Sequence, residues 1–180
     1  MTVNLHATII ECVAAPGCMR IPKQATAGSA GADLYAGAPC ERAPWLRVSD
    51  DGDDIEILSL PRGVYRLHSL ERVTVPVGVR VAIPDGYEGQ IRPRSGLARR
   101  HGLTVANAPG TIDSDYRGVV AVCLVNLGRQ TVELRPGDRI AQLVIAPVAA
   151  VEYWEVDFID QTARGSGGFG STGTRGLPAC

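Results

Sequence analysis

Lysine is nearly absent from this 180-residue chain: Lys23 stands alone among 18 basic residues, the rest being arginine. Arginine's planar fork suits bidentate phosphate contact better than an ammonium does, although genomic base composition is the better explanation of the overall bias. Net charge is also scarce, at a formal −1, which excludes the broad basic field needed to grip long nucleic acid. Any phosphate site must therefore be local. Aromatics make up only 5% of the residues. The five cysteines (Cys12, Cys18, Cys40, Cys123 and Cys180) are odd in number and form no CxxC pair, so neither a zinc site nor a disulfide framework is expected and a reducing cytoplasm fits. The longest apolar run, Val119 to Val125, is far short of the roughly 20 residues that span a bilayer. The opening residues lack a basic stretch followed by a long apolar core, so no targeting segment is expected.

What is present is an ordinary globular balance, 45% apolar and 21% charged, in a length that suits one domain with its own core. Val73 to Ile83, Val119 to Val125, Thr131 to Leu134 and Ile140 to Val148 are short, rich in valine and isoleucine, and read as strands. Turn signals recur at Pro16-Gly17, Asp51-Gly52, Asp85-Gly86, Pro109-Gly110 and Pro136-Gly137, leaving room for no more than a turn or two of helix near Gly96 to His101. This pattern predicts an antiparallel all-β sandwich or barrel. Residues 38–70 break the pattern with an acidic cluster (Asp50, Asp51, Asp53, Asp54) and apolar patches around Trp45 and Ile55, and read as an inserted hairpin or surface loop. The aspartates lack the spaced ligand series of a calcium loop and read as a solvated turn. From Arg164 the chain is dominated by glycine, serine and threonine, the composition of an arm that orders on binding.

Three segments carry candidate chemistry. Gly165, Gly167 and Gly170 match the spacing of a dinucleotide fingerprint, but too little chain follows to build the helix and strand that fingerprint requires. The segment remains a loop able to wrap phosphate oxygens, with Arg164, Ser171 and Thr172 as donors and Phe169 as an apolar face. Arg92 to Arg100 ends a strand in a small-residue turn that opens a short helix, a setting for anion binding by Arg94, Ser95 and Gly96. Asn107 to Gly118 reads as a hairpin in which Asn107 presents donor and acceptor groups to a base edge and Asp113 can deprotonate a water. Taken singly, each is also the material of ordinary surface turns.

In this order, AGSAGADLYA (Ala27 to Ala36), RPRSGLA (Arg92 to Ala98), NAPGTIDSDYRG (Asn107 to Gly118), GDRIAQLVI (Gly137 to Ile145) and RGSGGFGSTG (Arg164 to Gly173) resemble the five motifs of the trimeric dUTPase family. The resemblance implies a jelly-roll-like distorted β-barrel or sandwich with a flexible C-terminal arm, assembled as a homotrimer whose active sites are shared between subunits. It divides the chain into a β domain at 1–163 and an arm or lid at 164–180. It implies hydrolysis of dUTP to dUMP and pyrophosphate, with Asp113 as the base that activates the attacking water. Arg94, Ser95, Gly96 and Gln142 resemble the positions that hold the phosphates. Asn107, Gly110, Thr111 and Ile112 resemble the hairpin that reads uracil, and Tyr116 the residue beneath the deoxyribose. Arg164, Phe169, Gly170, Ser171 and Thr172 resemble the closing arm, with Phe169 stacked on the base. Mg²⁺ is expected on the phosphates with no direct protein ligand, Asp33 supporting its bound water. No long nucleic acid or membrane partner is implied.

Two other readings share this fold. A dCTP deaminase resembles a site with a glutamate on the strand after the hairpin, whereas Val119 to Asn126 here contains no carboxylate. A nucleotide-binding regulator would keep the site as a switch, a role to which Trp45, Leu46, Ile55, Ile57 and Leu58 of the inserted segment offer apolar contacts.

Overall fold

A strand that packs on one face alternates inward and outward side chains, and the chain does this repeatedly: Val122, Leu124 and Asn126 are buried while the residues between them are not. The computed structural model describes residues 10–15, 17–18, 20–48, 55–58, 60, 63–168 and 171. Its elements run β1 (Glu11–Ala14), β2 (Lys23–Gln24), β3 (Ala32–Tyr35), β4 (Trp45–Val48), β5 (Ile55–Leu58), β6 (Tyr65–Leu67), β7 (Arg72–Pro76) and β8 (Val79–Ala82). They continue through β9 (Tyr87–Arg92), helix α1 (Ser95–His101), β10 (Leu103–Val105), β11 (Gly110–Ile112), β12 (Ala121–Asn126), β13 (Val132–Leu134) and β14 (Arg139–Pro147).

Two five-stranded sheets form, in the orders β10-β12-β7-β4-β5 and β11-β9-β14-β3-β2, beside the two-stranded pairs β1-β8 and β13-β6. The strand pairs are antiparallel. Inward residues of the first sheet (Trp45, Val73, Val75, Leu103, Val122, Leu124) and of the second (Leu34, Ile91, Ile112, Ile140, Leu143) share one core. The architecture is mostly β with one short helix, a sandwich in which the described strands do not close into a barrel. The predicted strand from Val73 to Ile83 is two strands, because Gly78 takes a positive φ of 69° between β7 and β8. A Cβ there would stand 2.4 Å from Cys18 Cα, so close approach as well as conformation calls for glycine.

Residues of the 38–70 segment contribute to this core. Trp45 is fully buried and donates its indole N–H to Gly37 O at 2.9 Å, which removes it from any surface role, whereas Ile55 and Ile57 on β5 are exposed. A polar knot ties the segment down. Glu71 accepts from the Tyr65 hydroxyl, from His68 N–H at 2.8 Å and from Arg47 at 3.2 Å, and Arg47 also reaches Glu56 from its Nε at 3.0 Å. Burial pushes the Glu71 carboxyl up, but the bonds from Tyr65, His68 and Arg47 together outweigh it and hold the group below the ordinary glutamate range. Burial, reinforced by the bond to Glu71, pushes the Tyr65 phenol up.

The chain divides into two compact units, Met1–Ala149 and Ala150–Cys180. The first holds every described strand and the described helix, while the described part of the second has no helix or strand and includes turns closed by Gly165 N–H to Thr162 O and Gly167 N–H to Arg164 O.

Because the folded-state pKa of Glu71 is depressed, its stabilisation is complete above the unfolded value of about 4.3 and is lost as pH falls through the lower folded value. Glu71→Gln is expected to lose about 2 kcal/mol in urea unfolding at pH 7, with wild type and variant converging in acid. A difference that stays constant down to about pH 3 contradicts the assignment.

Candidate active site

Strand β14 lies between β3 and β9, and its register places Gln142 opposite Asp33 on one side and Arg92 on the other. These three positions face a cleft of about 670 Å³, whose wall is completed by the turn into α1. Arg94 is the extended N-cap residue of that helix and makes no side-chain cap bond. Its carbonyl accepts from Leu97 and Ala98, while the earlier N–H groups of Ser95 and Gly96 find no acceptor among the described residues. Gln142 donates its amide to Pro93 O at 2.9 Å and so pins this turn to the sheet. Gly31 permits the arrangement, since a Cβ there would stand 2.3 Å from Gln142 Oε1.

Charge in the cleft is concentrated and mostly positive. Arg92, Arg94, Arg100, Arg139 and His101 line it, against Asp33 as the single carboxylate. Asp33 accepts from Arg94 Nε at 2.9 Å and from Arg139 at 3.2 Å, one guanidinium on each carboxylate oxygen. This holds two cations side by side where isolated arginines would repel; Arg94 Nη1 also donates to Arg139 O, and other guanidinium N–H groups are left for a ligand. The arrangement suits a multiply charged anion such as a phosphate chain.

Among the residues singled out in the sequence, Asp33, Arg94, Ser95, Gly96 and Gln142 come together here. Arg139 was not singled out, although it belongs to the GDRIAQLVI segment. Asn107, Gly110, Thr111, Ile112, Asp113 and Tyr116 lie apart from the cleft lining, on β11 and its flanks. β11 pairs with β9, placing Gly110 and Ile112 in the core while Thr111 and Asp113 are exposed. The Asn107 side chain folds back over buried Gly110, where a Cβ would sit 3.3 Å from its Nδ2. Tyr116 donates its hydroxyl to Val119 O at 3.0 Å, and its ring lies so close to Gly118 that a Cβ there would clash. In the second unit, Arg164 donates from Nε to Gly167 O at 2.9 Å and Ser171 N–H bonds to Gly168 O. Phe169, Gly170 and Thr172 lie outside the described residues.

The dUTPase family model matches residues 58–173. The chain is 53% identical over 153 residues to a deoxyuridine 5'-triphosphate nucleotidohydrolase of Dinoroseobacter shibae, covering 85% of this chain and 87% of that protein. It is 44% identical over 158 residues to a protein of the same description from Maricaulis maris, covering 87% and 90%. Among solved structures it is similar to the Staphylococcus bacteriophage 80alpha dUTPase with dUpNHpp, at a TM-score of 0.68 and 23% identity over 93% of this chain and all of that one. A second similar fold is a dUTPase from phage phi11 of S. aureus, described for its coordination of a structural Mg(II) ion, with TM-score 0.63 and 20% identity over 83% and 97% of the two chains.

Gly31→Ala is expected to displace Gln142 from Pro93 and weaken binding of inorganic tripolyphosphate by about tenfold, some 1.4 kcal/mol, with little change in thermal stability. Calorimetric titration giving wild-type affinity contradicts the role given to this contact.

Proposed function

The chain belongs to the dUTPase family, and from that premise we propose that the arginine-lined cleft holds the triphosphate of dUTP while water attacks the α-phosphorus. The enzyme hydrolyses dUTP to dUMP and pyrophosphate. The observation that carries the site assignment is the grouping of Arg94, Arg139, Ser95, Gly96 and Gln142 around one carboxylate, with N–H groups at the start of α1 left for an outside acceptor.

Asp113 is the general base: exposed at the end of β11, it takes a proton from water as that oxygen bonds to the α-phosphorus and the bond to the bridging oxygen breaks, pyrophosphate leaving with the electron pair. Because Asp113 does not line the cleft of its own chain, the site is completed by a second copy, in keeping with a homotrimer. Asn107 and the backbone of Gly110 to Ile112 read the polar edge of uracil. In this reading the hairpin leaves no room for a 5-methyl group on the base. Tyr116, fixed by Val119 O and Gly118, supports the deoxyribose and excludes a 2′-hydroxyl. The chain from 164 to 180 acts as a closing arm over the domain at 1–163, with Arg164, Ser171 and Thr172 on the γ-phosphate and Phe169 on the base.

No group of three or more potential metal ligands occurs among the described residues, and the cleft offers only Asp33. Asp33 would accept from the waters of a Mg²⁺ brought in by the substrate, and the ion would supply charge neutralisation on the phosphates. Four described cysteines are unpaired, and no described helix is long and apolar enough to cross a membrane, which supports work in a reducing cytoplasm. Deamination lacks support, since β12 carries no carboxylate to serve the pyrimidine amino group.

Asp113→Asn is expected to lower kcat at least ~10²-fold while the affinity for dUpNHpp stays within a few-fold of wild type. Truncation before Arg164 is expected to reduce kcat comparably without lowering the unfolding temperature of the β unit. Near-normal turnover by either variant contradicts the assigned role.

A further inference from the structure

Beside the phosphate cleft lies a second hollow of about 470 Å³, lined at its centre by Arg99, Arg100, His101 and Arg129. Arg100 and His101 line both spaces, so the two are neighbours. The local fold brings these side chains together. Helix α1 stops at Gly102, whose φ of 70° and N–H bond to Ala98 O turn the chain back, and Leu127 N–H bonds to Gly102 O at 2.9 Å. Gly102 and Gly128 then meet so closely that a Cβ on Gly102 would stand 2.4 Å from Gly128 N, and one on Gly128 would stand 2.2 Å from His101 O. Asn126, the one buried polar residue among those described, locks the loop by donating to Leu67 O and Gln130 O and accepting from Gly128 N–H. Arg129 is therefore carried on a rigid loop beside the last turn of the helix.

Basic residues near a helix C-terminus offset its dipole, but that effect needs no arginine from a second loop. Nor do nearby carboxylates neutralise this group. Glu71 is engaged with Arg47, Glu133 with Arg66 and Arg135, and Asp33 with Arg94 and Arg139. No salt bridge among the described residues involves Arg99, Arg100 or Arg129. Gly96 lacks a side chain, and Arg100 Nη2 approaches within 3.6 Å of the place its Cβ would occupy, bringing that guanidinium towards the start of α1. A file of cations thus leads from the Arg129 loop to the phosphate cleft, in a protein whose formal net charge is only −1.

We propose that Arg99, Arg100, His101 and Arg129 form an electrostatic approach path that captures the nucleoside triphosphate and passes it into the phosphate cleft. The inference rests on the reading of that cleft as the triphosphate site. A multiply charged anion within a Debye length, about 8–10 Å at physiological salt, is drawn to such a path, so the arginines raise the association rate without touching the reacting atoms.

The test uses the full-length double variant Arg99→Gln/Arg129→Gln, neither residue lining the cleft, with Arg80→Gln on β8 as the charge control. Stopped-flow association of dUpNHpp and steady-state dUTP hydrolysis are followed as ionic strength rises from about 0.01 to 0.15 M. Expected at low salt is a three- to tenfold fall in association rate and kcat/KM for the double variant, an unchanged kcat, and a flatter salt dependence. Arg80→Gln should track wild type. Salt profiles of the double variant that superimpose on wild type, or a loss that appears in kcat alone, overturn the proposal. If the wild-type protein binds dUpNHpp with a salt-dependent rate that needs Arg99 and Arg129 yet leaves dUTP intact, the approach path stands and the hydrolytic reading falls.

Discussion

Gln142 sits opposite Asp33 across one strand boundary and opposite Arg92 across the other, and this double register assembles the arginine-lined cleft. Side chains on a strand alternate with period two, so a one-residue slip of β14 against either neighbour would turn Gln142 away from the cleft. The register is held by burial: Ile140, Ala141 and Leu143 of the same strand are inside the core, and moving them to solvent would forfeit roughly 1.5–3 kcal/mol for each large side chain. The chemistry is thus positioned by the same contacts that hold the sandwich together.

Electrostatics follow from that placement. Four arginines around one carboxylate would be unfavourable on a flexible surface, but Asp33 bridges two of them and the turn at Pro93 is fixed by Gln142. On the proposed reading, the reorganisation needed to receive a phosphate chain would be met largely during folding, the condition under which fixed charges favour a charged transition state. The same logic extends to the helix end, where paired glycines and a buried asparagine hold further cations in place.

Much of this was legible in the chain, and the exceptions have physical causes. Short valine-rich runs between turn residues predicted an all-β fold, and the residues singled out from Arg94 to Gly96 and at Gln142 come together in one cleft. Arg139 escaped because it precedes Gln142 by three residues, an odd interval that puts two side chains on opposite faces of a regular strand. A bulge between Arg139 and Ala141 breaks that alternation and lets both face the cleft. Trp45 resembled a surface anchor because it neighbours charged and turn-forming residues. Its burial depends on the distant partner Gly37 O and on packing edge-on to Tyr65, contacts that local patterning does not reveal. The run from Val73 to Ile83 concealed a break because Gly78 is required by contact with Cys18, which is remote in sequence.

The central claim is that the phosphate cleft of one copy works with the Asp113 hairpin of another, since the two do not meet within a chain. Subunit mixing tests it most directly. Inactive Asp113→Asn protein and inactive Arg94→Gln protein are unfolded together, refolded as a mixture, and assayed for dUTP hydrolysis. Activity well above either parent is predicted, because some sites then pair an intact hairpin with an intact cleft. A mixture no more active than its parents, with mixed oligomers demonstrated by mass spectrometry, would contradict the shared site.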